Sequence, residues 1–384
     1  MRDRTFGAGS GCGGPAPDRF MARALELAGA RLGSVSPKPA VGAVLVKGDR
    51  IVAAAGTEPG SGRHAERAAI DTAGGDARGC DLFVTLEPCT HYGNTPPCSR
   101  LVIDAGIARV FAAVADPNPE SGDGFGELAQ AGIEVEVGIS ATEAVEIYQG
   151  FFKWIETRRP YVTAKWAMSL DGKIATRSGD SRYISGEQSR QAVHTMRKET
   201  DAILVGVGTA LVDDPLLTCR LPSVGAEFQP LRVVLDSSAR TPPNAGMLAA
   251  STPGKTLIAV SERAPADRVE HLRHTGAEVA ILPGGNGISL SDLLDELGRR
   301  GILNLLVEGG GTVLGSFFDA GLVDRVETFV APKVLGGAAA PGPVAGEGLA
   351  SLAEAGEFQS VDISQSGTDS HIAAVIRTYG PGAG

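Results

Sequence analysis

Residues 81–116, DLFVTLEPCTHYGNTPPCSRLVIDAGIARVFAAVAD, decide the fold of this chain. DLFVTL is a short apolar run of strand length, and the proline-rich turn after it stops the strand. CSRLVIDAGI predicts a helix closed by Gly106, and ARVFAAVAD predicts the next strand. Upstream, VGAVLV and RIVAAA flank Gly48 and Asp49 as a β-hairpin, and HAERAAIDTA (64–73) is an amphipathic helix. A helix from Asp18 to about Ala30 precedes them, with Phe20, Met21, Ala24, Leu25 and Ala28 at helical spacing and Asp18 as N-cap. Downstream come a helix at GELAQAG and a strand at IEVEVGI. Helices alternate with strands, so an α/β layered domain is expected, ending near residue 145.

A helix over 143–156 and the break TRRP place the domain boundary within 146–160. Strands are then expected at YVTAKWAMSLDG, 201–207, LRVVLDS, KTLIAVS, EVAILP and NLLVEGGG, with a helix over 187–198. This is again α/β, with a mostly parallel sheet. The expected division is a disordered, Gly-rich lead-in over 1–17, a first domain over 18–146 and a second over 147–384. The halves show no internal repeat.

The 384 residues are 43% hydrophobic and 21% charged, which is a globular composition. Glycine and proline make up about a fifth of the chain without a Gly-X-Y period, which excludes collagen. A net charge of −10 is a poor match for nucleic acid or an anionic membrane surface. No run of 18 apolar residues predicts a membrane span. The Gly-rich N-terminus lacks the apolar core of a signal peptide. Five cysteines, an odd and sparse set, point to a reducing, cytoplasmic setting.

The chemistry lies in His64-Ala65-Glu66, Pro88-Cys89 and Pro96-Pro97-Cys98. Imidazole and two thiolates suit zinc, and a catalytic zinc site keeps one position for water. A structural site normally closes with four protein ligands, and no fourth is evident. His91 is near enough to be considered, though it serves equally as a pocket wall. Glu66, two residues past His64 at a helix start, puts a carboxylate beside the metal. Zinc deaminases use this set to activate a water for attack on an amidine carbon, the glutamate moving the protons. In the second half, Gly309, Gly310 and Gly311 in LLVEGGGTVLGSFFDAG permit close backbone approach at the start of a helix. A Rossmann fingerprint is absent.

EPCTHYGNTPPC resembles the signature of the RibD/RibG family of bifunctional riboflavin-biosynthesis deaminase/reductases. SPKPAVGAV, HAE and ADPNP occur in the family order, and AKWAMSLDGKIA and AILVGVGTALVDDPLLT resemble its reductase half. The resemblance spans residues 18–380. It implies a cytidine-deaminase-like three-layer domain followed by a dihydrofolate-reductase-like domain. It implies zinc-dependent deamination of 2,5-diamino-6-(5-phosphoribosylamino)pyrimidin-4(3H)-one, then NADPH reduction of the ribosyl side chain, opened as an imine, to ribityl. His64, Cys89 and Cys98 would hold Zn2+, Glu66 would be catalytic, and Lys38 and His91 would face the first substrate. Ala167, Tyr183, Thr209, Asp213, Ser237 and the turn Gly310, Gly311, Thr312, Val313, Leu314, Gly315, Ser316 would touch NADPH. Ser181, Arg197, Leu217, Arg220 and Glu308 would touch the second substrate, with Lys165 and Asp171 further candidates. Arg197 and Arg220 offer forked donors to a phosphate. A cytoplasmic homodimer or homotetramer is implied, with neither nucleic acid nor membrane as partner.

Five departures from the family pattern stand out. Pro37-Lys38-Pro39 replaces PNP, Thr57 replaces a histidine, Asn94 replaces a lysine, Tyr183 replaces a tryptophan, and Ser121-Gly122-Asp123-Gly124 lacks the basic residue. The first two resemble the actinobacterial branch, in which Lys38 would supply charge near the phosphate. The alternative reading is a pathway relative with both chemistries on a related aminopyrimidine.

Overall fold

The computed structural model describes residues 17–92, 96–222, 224–285 and 287–381. Of the expected lead-in only Pro17 is described; Cys12 and Asn94 lie outside the described residues. The chain forms two compact units. One runs to Ala30 and resumes over Val41–Ala144; the other takes Arg31–Ala40 and the chain from Val145 onward.

The first unit is built from α1 (Pro17–Gly29), β1 (Gly42–Lys47), β2 (Arg50–Gly56), α2 (Ala65–Ala73), β3 (Asp81–Leu86), α3 (Cys98–Ala105), β4 (Arg109–Val114), α4 (Gly124–Gln130) and β5 (Glu134–Val137). Its sheet runs β2-β1-β3-β4-β5. The hairpin is antiparallel, and β3, β4 and β5 are parallel. Leu82–Leu86 and Val110–Val114 are buried without alternation, so both faces of these strands are covered. Phe83 stacks on Phe111 at 4.7 Å, and Phe20 of α1 tilts against Phe83 at 5.2 Å. α1 comes so close to β1 that a Cβ on Gly42 would strike the Ala24 carbonyl. Gly106 closes α3 in the left-handed conformation (φ 70°), as expected of a terminal glycine.

α5 (Ala141–Thr157) leads into the second unit. There follow β6 (Tyr161–Ser169), α6 (Glu187–Glu199), β7 (Ala202–Gly206), α7 (Val207–Asp213), β8 (Leu231–Leu235), β9 (Thr256–Ser261), α8 (Ala266–His274), β10 (Glu278–Leu282), α9 (Leu290–Arg299), β11 (Asn304–Val307), α10 (Gly311–Asp319), β12 (Arg325–Ala331), β13 (Ser360–Ser366) and β14 (Asp369–Val375). The sheet order is β10-β9-β8-β7-β11-β6-β12-β14-β13. Strands β10 through β12 of that order are parallel, and β14 and β13 complete the sheet antiparallel. Ala202 and Leu204 belong to one core, and Ile203 and Val205 to another. The sheet is therefore buried on both faces, and its strands read as continuous apolar runs. The expected parallel sheet is present, and it is extended by β12 and the β13–β14 hairpin, which are not among the expected strands.

β8, β9 and β10 run outward from β7, whereas β11 inserts between β7 and β6. The carboxyl ends of β7 and β11 flank this reversal, where α/β sheets bind ligands.

Candidate active sites

In the first unit three segments converge. His64 is the N-cap of α2, Cys89 lies in the turn after β3, and Cys98 opens α3 behind Pro97. One ligand atom from each lies within 4.8 Å of the others. His64 Nδ1 is 3.4 Å from Cys98 Sγ and 3.7 Å from Cys89 Sγ. A tetrahedron with zinc–ligand bonds of about 2.0–2.3 Å has edges of about 3.3–3.8 Å. The donor set and its spacing therefore fit zinc. Among the described residues His91 is not part of the cluster; it is exposed on the turn beside it.

Glu66 is 4% exposed, in the first turn of α2. Burial pushes its carboxyl up, against the pull of His64. The hydrogen bond with Cys98 holds the Cys89 thiol down to about 4, and the same bond, with burial, pushes Cys98 up. A second set of residues braces the turn that carries Cys89. Ser99 Oγ donates to Glu127 Oε2 at 2.5 Å and lies 3.1 Å from the Cys89 carbonyl, which also accepts the Ser99 N–H at 3.1 Å. Glu87 accepts from the backbone of Asp116 and Phe125, which ties the Cys89 turn to the ADPNP loop. Thr57 is buried, and its Oγ1 accepts the Val41 N–H at 3.0 Å. Lys38 is half-buried in the Arg31–Ala40 segment.

In the second unit Lys165 of β6, Arg197 of α6 and Glu308 after β11 meet in a buried group. Arg197 Nε and Nη2 donate to the two Glu308 oxygens at 2.7 and 2.9 Å, and its Nη1 donates to the Thr218 carbonyl. Lys165 Nζ lies 3.9 Å from Glu308 Oε2. Burial alone would raise Glu308, but Arg197 and Lys165 hold it down to about 2. The fork of Arg197 is thus turned to a carboxylate, and Arg220 is the exposed cation of the pair expected at a phosphate. Arg220 is positioned through its backbone N–H, which donates to His194 Nδ1 at 3.3 Å. Gln229 holds Cys219 through both its N–H and its carbonyl, and Leu217 adopts φ 51°. His194 and Gln229 escaped the sequence reading because each works only through a backbone atom.

A cleft of about 560 Å³ opens at the carboxyl ends of β7, β8 and β11. Of the residues expected at NADPH, Thr209, Asp213, Gly310, Gly311, Thr312 and Val313 line it. Ser181 lines it too. Gly310 caps α10 without a side-chain hydrogen bond, which leaves the first amides of the helix for a phosphate. The volume, the uncapped helix and the glycines fit a dinucleotide. Ala167, Tyr183, Ser237, Leu314, Gly315 and Ser316 fall outside the lining. Tyr183 is 69% exposed beneath the Arg190 guanidinium, and the Ser237 carbonyl accepts from Ser261. Asp171 is not in the lining; it accepts from Ser169 Oγ and the Leu335 and Gly336 N–H groups. Arg240 lines the cleft and is absent from the sequence reading.

Two family models match the chain. The cytidine and deoxycytidylate deaminase zinc-binding region covers residues 16–114, and the RibD C-terminal domain covers 160–372. The riboflavin biosynthesis protein RibD of Aquifex aeolicus is 42% identical over 351 residues, covering 91% of this chain and 96% of that relative. A crystal structure from Thermotoga maritima, a diaminohydroxyphosphoribosylaminopyrimidine deaminase/5-amino-6-(5-phosphoribosylamino)uracil reductase, superposes with a TM-score of 0.82 at 36% identity. It covers 94% of this chain and 98% of its own. The RibD of Mycobacterium tuberculosis is 38% identical over 365 residues, 94% of this chain and 97% of the relative. The actinobacterial affinity expected from Lys38 and Thr57 is therefore not supported.

Proposed function

The chain belongs to the RibD family of riboflavin-biosynthesis proteins, and from that premise we propose that it deaminates 2,5-diamino-6-(5-phosphoribosylamino)pyrimidin-4(3H)-one and then reduces the ribosyl side chain of the product to ribityl. It is a bifunctional enzyme whose cofactors are zinc and NADPH. The deaminase is assigned to residues 18–146 and the reductase to 147–384. The observation that carries the reading is the His64, Cys89 and Cys98 cluster with buried Glu66 beside it.

His64, Cys89 and Cys98 would hold zinc, which when bound makes a water acidic enough to act near neutral pH. The Glu66 carboxylate takes the proton of the attacking water and delivers it to the departing amine, so water enters and ammonia leaves. Ser99 and Glu127 keep the two cysteine segments in register. In the reductase, NADPH when bound supplies the hydride. The amides that open α10 take the diphosphate, and Thr209 and Asp213 take the ribose hydroxyls. Arg220 binds the substrate phosphate, and Lys165 and Glu308 orient the opened ribosyl chain, with Ser181 and Leu217 as walls. Lys38 and His91 face the first substrate. Family likeness supports a cytoplasmic homodimer or homotetramer. No helix among the described residues is long and apolar enough to cross a membrane.

Mass spectrometry of the diaminopyrimidine ribotide tests the reading. Exchange of an amino for an oxo group without NADPH, and a two-hydrogen gain only with it, is the expected result. No change in either tube would overturn it.

A further inference from the structure

We infer that Arg240 receives the 2′-phosphate of NADPH and gives the reductase its preference for NADPH over NADH, a deepening that rests on the NADPH reading above. The cleft crosses the sheet in the order β11, β7, β8. Lys165, Arg197 and Glu308 cluster on the β6 and β11 side. The hydride-donating end of the dinucleotide belongs there, next to the substrate residues. The uncapped start of α10, beside β7, suits the diphosphate. On its β8 side the cleft is lined by Leu235, at the end of that strand, and by Arg240. The adenosine end lies on this side, across the diphosphate from the hydride-donating end.

NADPH differs from NADH at that end alone, by one phosphate on the ribose. A phosphate there needs a cation, and Arg240 is the one cation lining the cleft among the described residues. It has no hydrogen-bonding or ionic partner among them, so its forked donors are available. Its place on the rim is fixed by its neighbours. Asp236, fully buried, accepts from Thr241 N–H at 2.6 Å and Thr241 Oγ1 at 2.7 Å, and Ala239 N–H donates to the Asp236 carbonyl at 3.1 Å. The turn is therefore pinned on both sides of Arg240, and only the side chain has to settle on a ligand. An arginine placed after a strand in this way is how α/β dinucleotide sites accommodate a 2′-phosphate.

The test is calorimetric titration of the zinc-loaded full chain with 2′,5′-ADP and with 5′-ADP, beside kcat/KM for NADPH and NADH. The native protein should bind 2′,5′-ADP more tightly by a factor of about 10–100, the worth of a charge-assisted hydrogen bond or two. R240A should erase that margin and leave the 5′-ADP affinity in place, and R240K should keep part of it. R240Q, closer in size and polarity, should match R240A and guards against a folding loss. A margin that survives in both variants overturns the inference. So does an equal loss for both nucleotides, which would place Arg240 on the diphosphate. If the native chain binds neither nucleotide and oxidises no NADPH, the NADPH reading itself has failed.

Discussion

Arg197 and Glu308, 111 residues apart in sequence, face each other edge to edge as a two-bond ion pair between α6 and the end of β11. Their side chains are 13% and 9% exposed, so each charge depends on the other to stay in place. E308A would leave Arg197 and Lys165 as unopposed buried cations. The expected cost is about 3–5 kcal/mol, the usual result of breaking a buried pair from one side. Differential scanning calorimetry should show the reductase transition about 10 °C lower. E308Q keeps the shape and should lose reduction while losing less stability. A melting temperature unchanged in E308A would mean that the pair contributes nothing.

The same pair sets an acid limit. Glu308 is held down to about 2 in the fold, against an ordinary value of 4.5. A depressed carboxylate contributes stability that is full above its unfolded pKa and is withdrawn as pH falls through its folded one. The loss therefore runs from about pH 4.5 down to about pH 2 and is on the order of 3 kcal/mol. Urea unfolding of the native chain should show this slope, and E308Q should flatten it. An equal slope in both would assign the acid sensitivity to other groups.

The deaminase half was legible because its chemistry is local. His64, Glu66, Cys89 and Cys98 sit on the elements that periodicity predicts, and the turns between those elements bring them together. The reductase half was legible as strands, because strands buried on both faces read as apolar runs. Its last hairpin was not. Ser360–Ser366 is exposed along nearly its whole length, so no buried face marks it. The Arg31–Ala40 segment follows α1 yet groups with the second unit, a long-range association that no local pattern encodes. The pairing of Arg197 with Glu308 is not readable in the sequence, because 111 residues separate the two. Arg240 carries no mark in the sequence, because the cleft it lines is built from segments far apart in the chain.

Glu66 has one task that a glutamine cannot do. E66Q keeps the size and burial of the side chain but can neither take nor return a proton. Deamination should fall by at least about a hundredfold, and by as much as ten-thousandfold. Zinc content by elemental analysis should be unchanged, and NADPH-dependent reduction of the deaminated intermediate should persist. Near-native deamination by E66Q would assign the proton transfer elsewhere.

Removing the metal separates the two halves in another way. Chelation, or C89S with C98S, should abolish deamination, because thiolates at the cluster are needed to hold zinc. Reduction of the deaminated intermediate should continue, since no ligand in the cluster belongs to the second unit. If both activities failed together, zinc would be supporting the fold of the whole chain.

The most deeply buried ion pair among the described residues lies away from both sites. Lys153 of α5 meets Asp324, just before β12, at 2.5 Å, and Asp324 is completely buried. The carboxylate also accepts from Val162 N–H at 2.7 Å and Tyr379 OH at 2.9 Å, so it ties α5, β6 and the C-terminal tail to one point. Burial pulls the Lys153 amine down, and Asp324 opposes that pull. D324N removes the opposing charge and leaves a lysine that can relieve the strain only by losing its proton. The expected loss is about 3–5 kcal/mol. K153M removes the other partner and leaves Asp324 its two remaining donors, so it should cost less. In the double variant neither charge is stranded, and the loss should be smaller than the two single losses together by 1 kcal/mol or more, on the order seen for contacting residues. Urea unfolding of the four proteins measures this coupling. Strict additivity would show that Asp324 acts on the backbone and the tyrosine alone, with Lys153 a bystander.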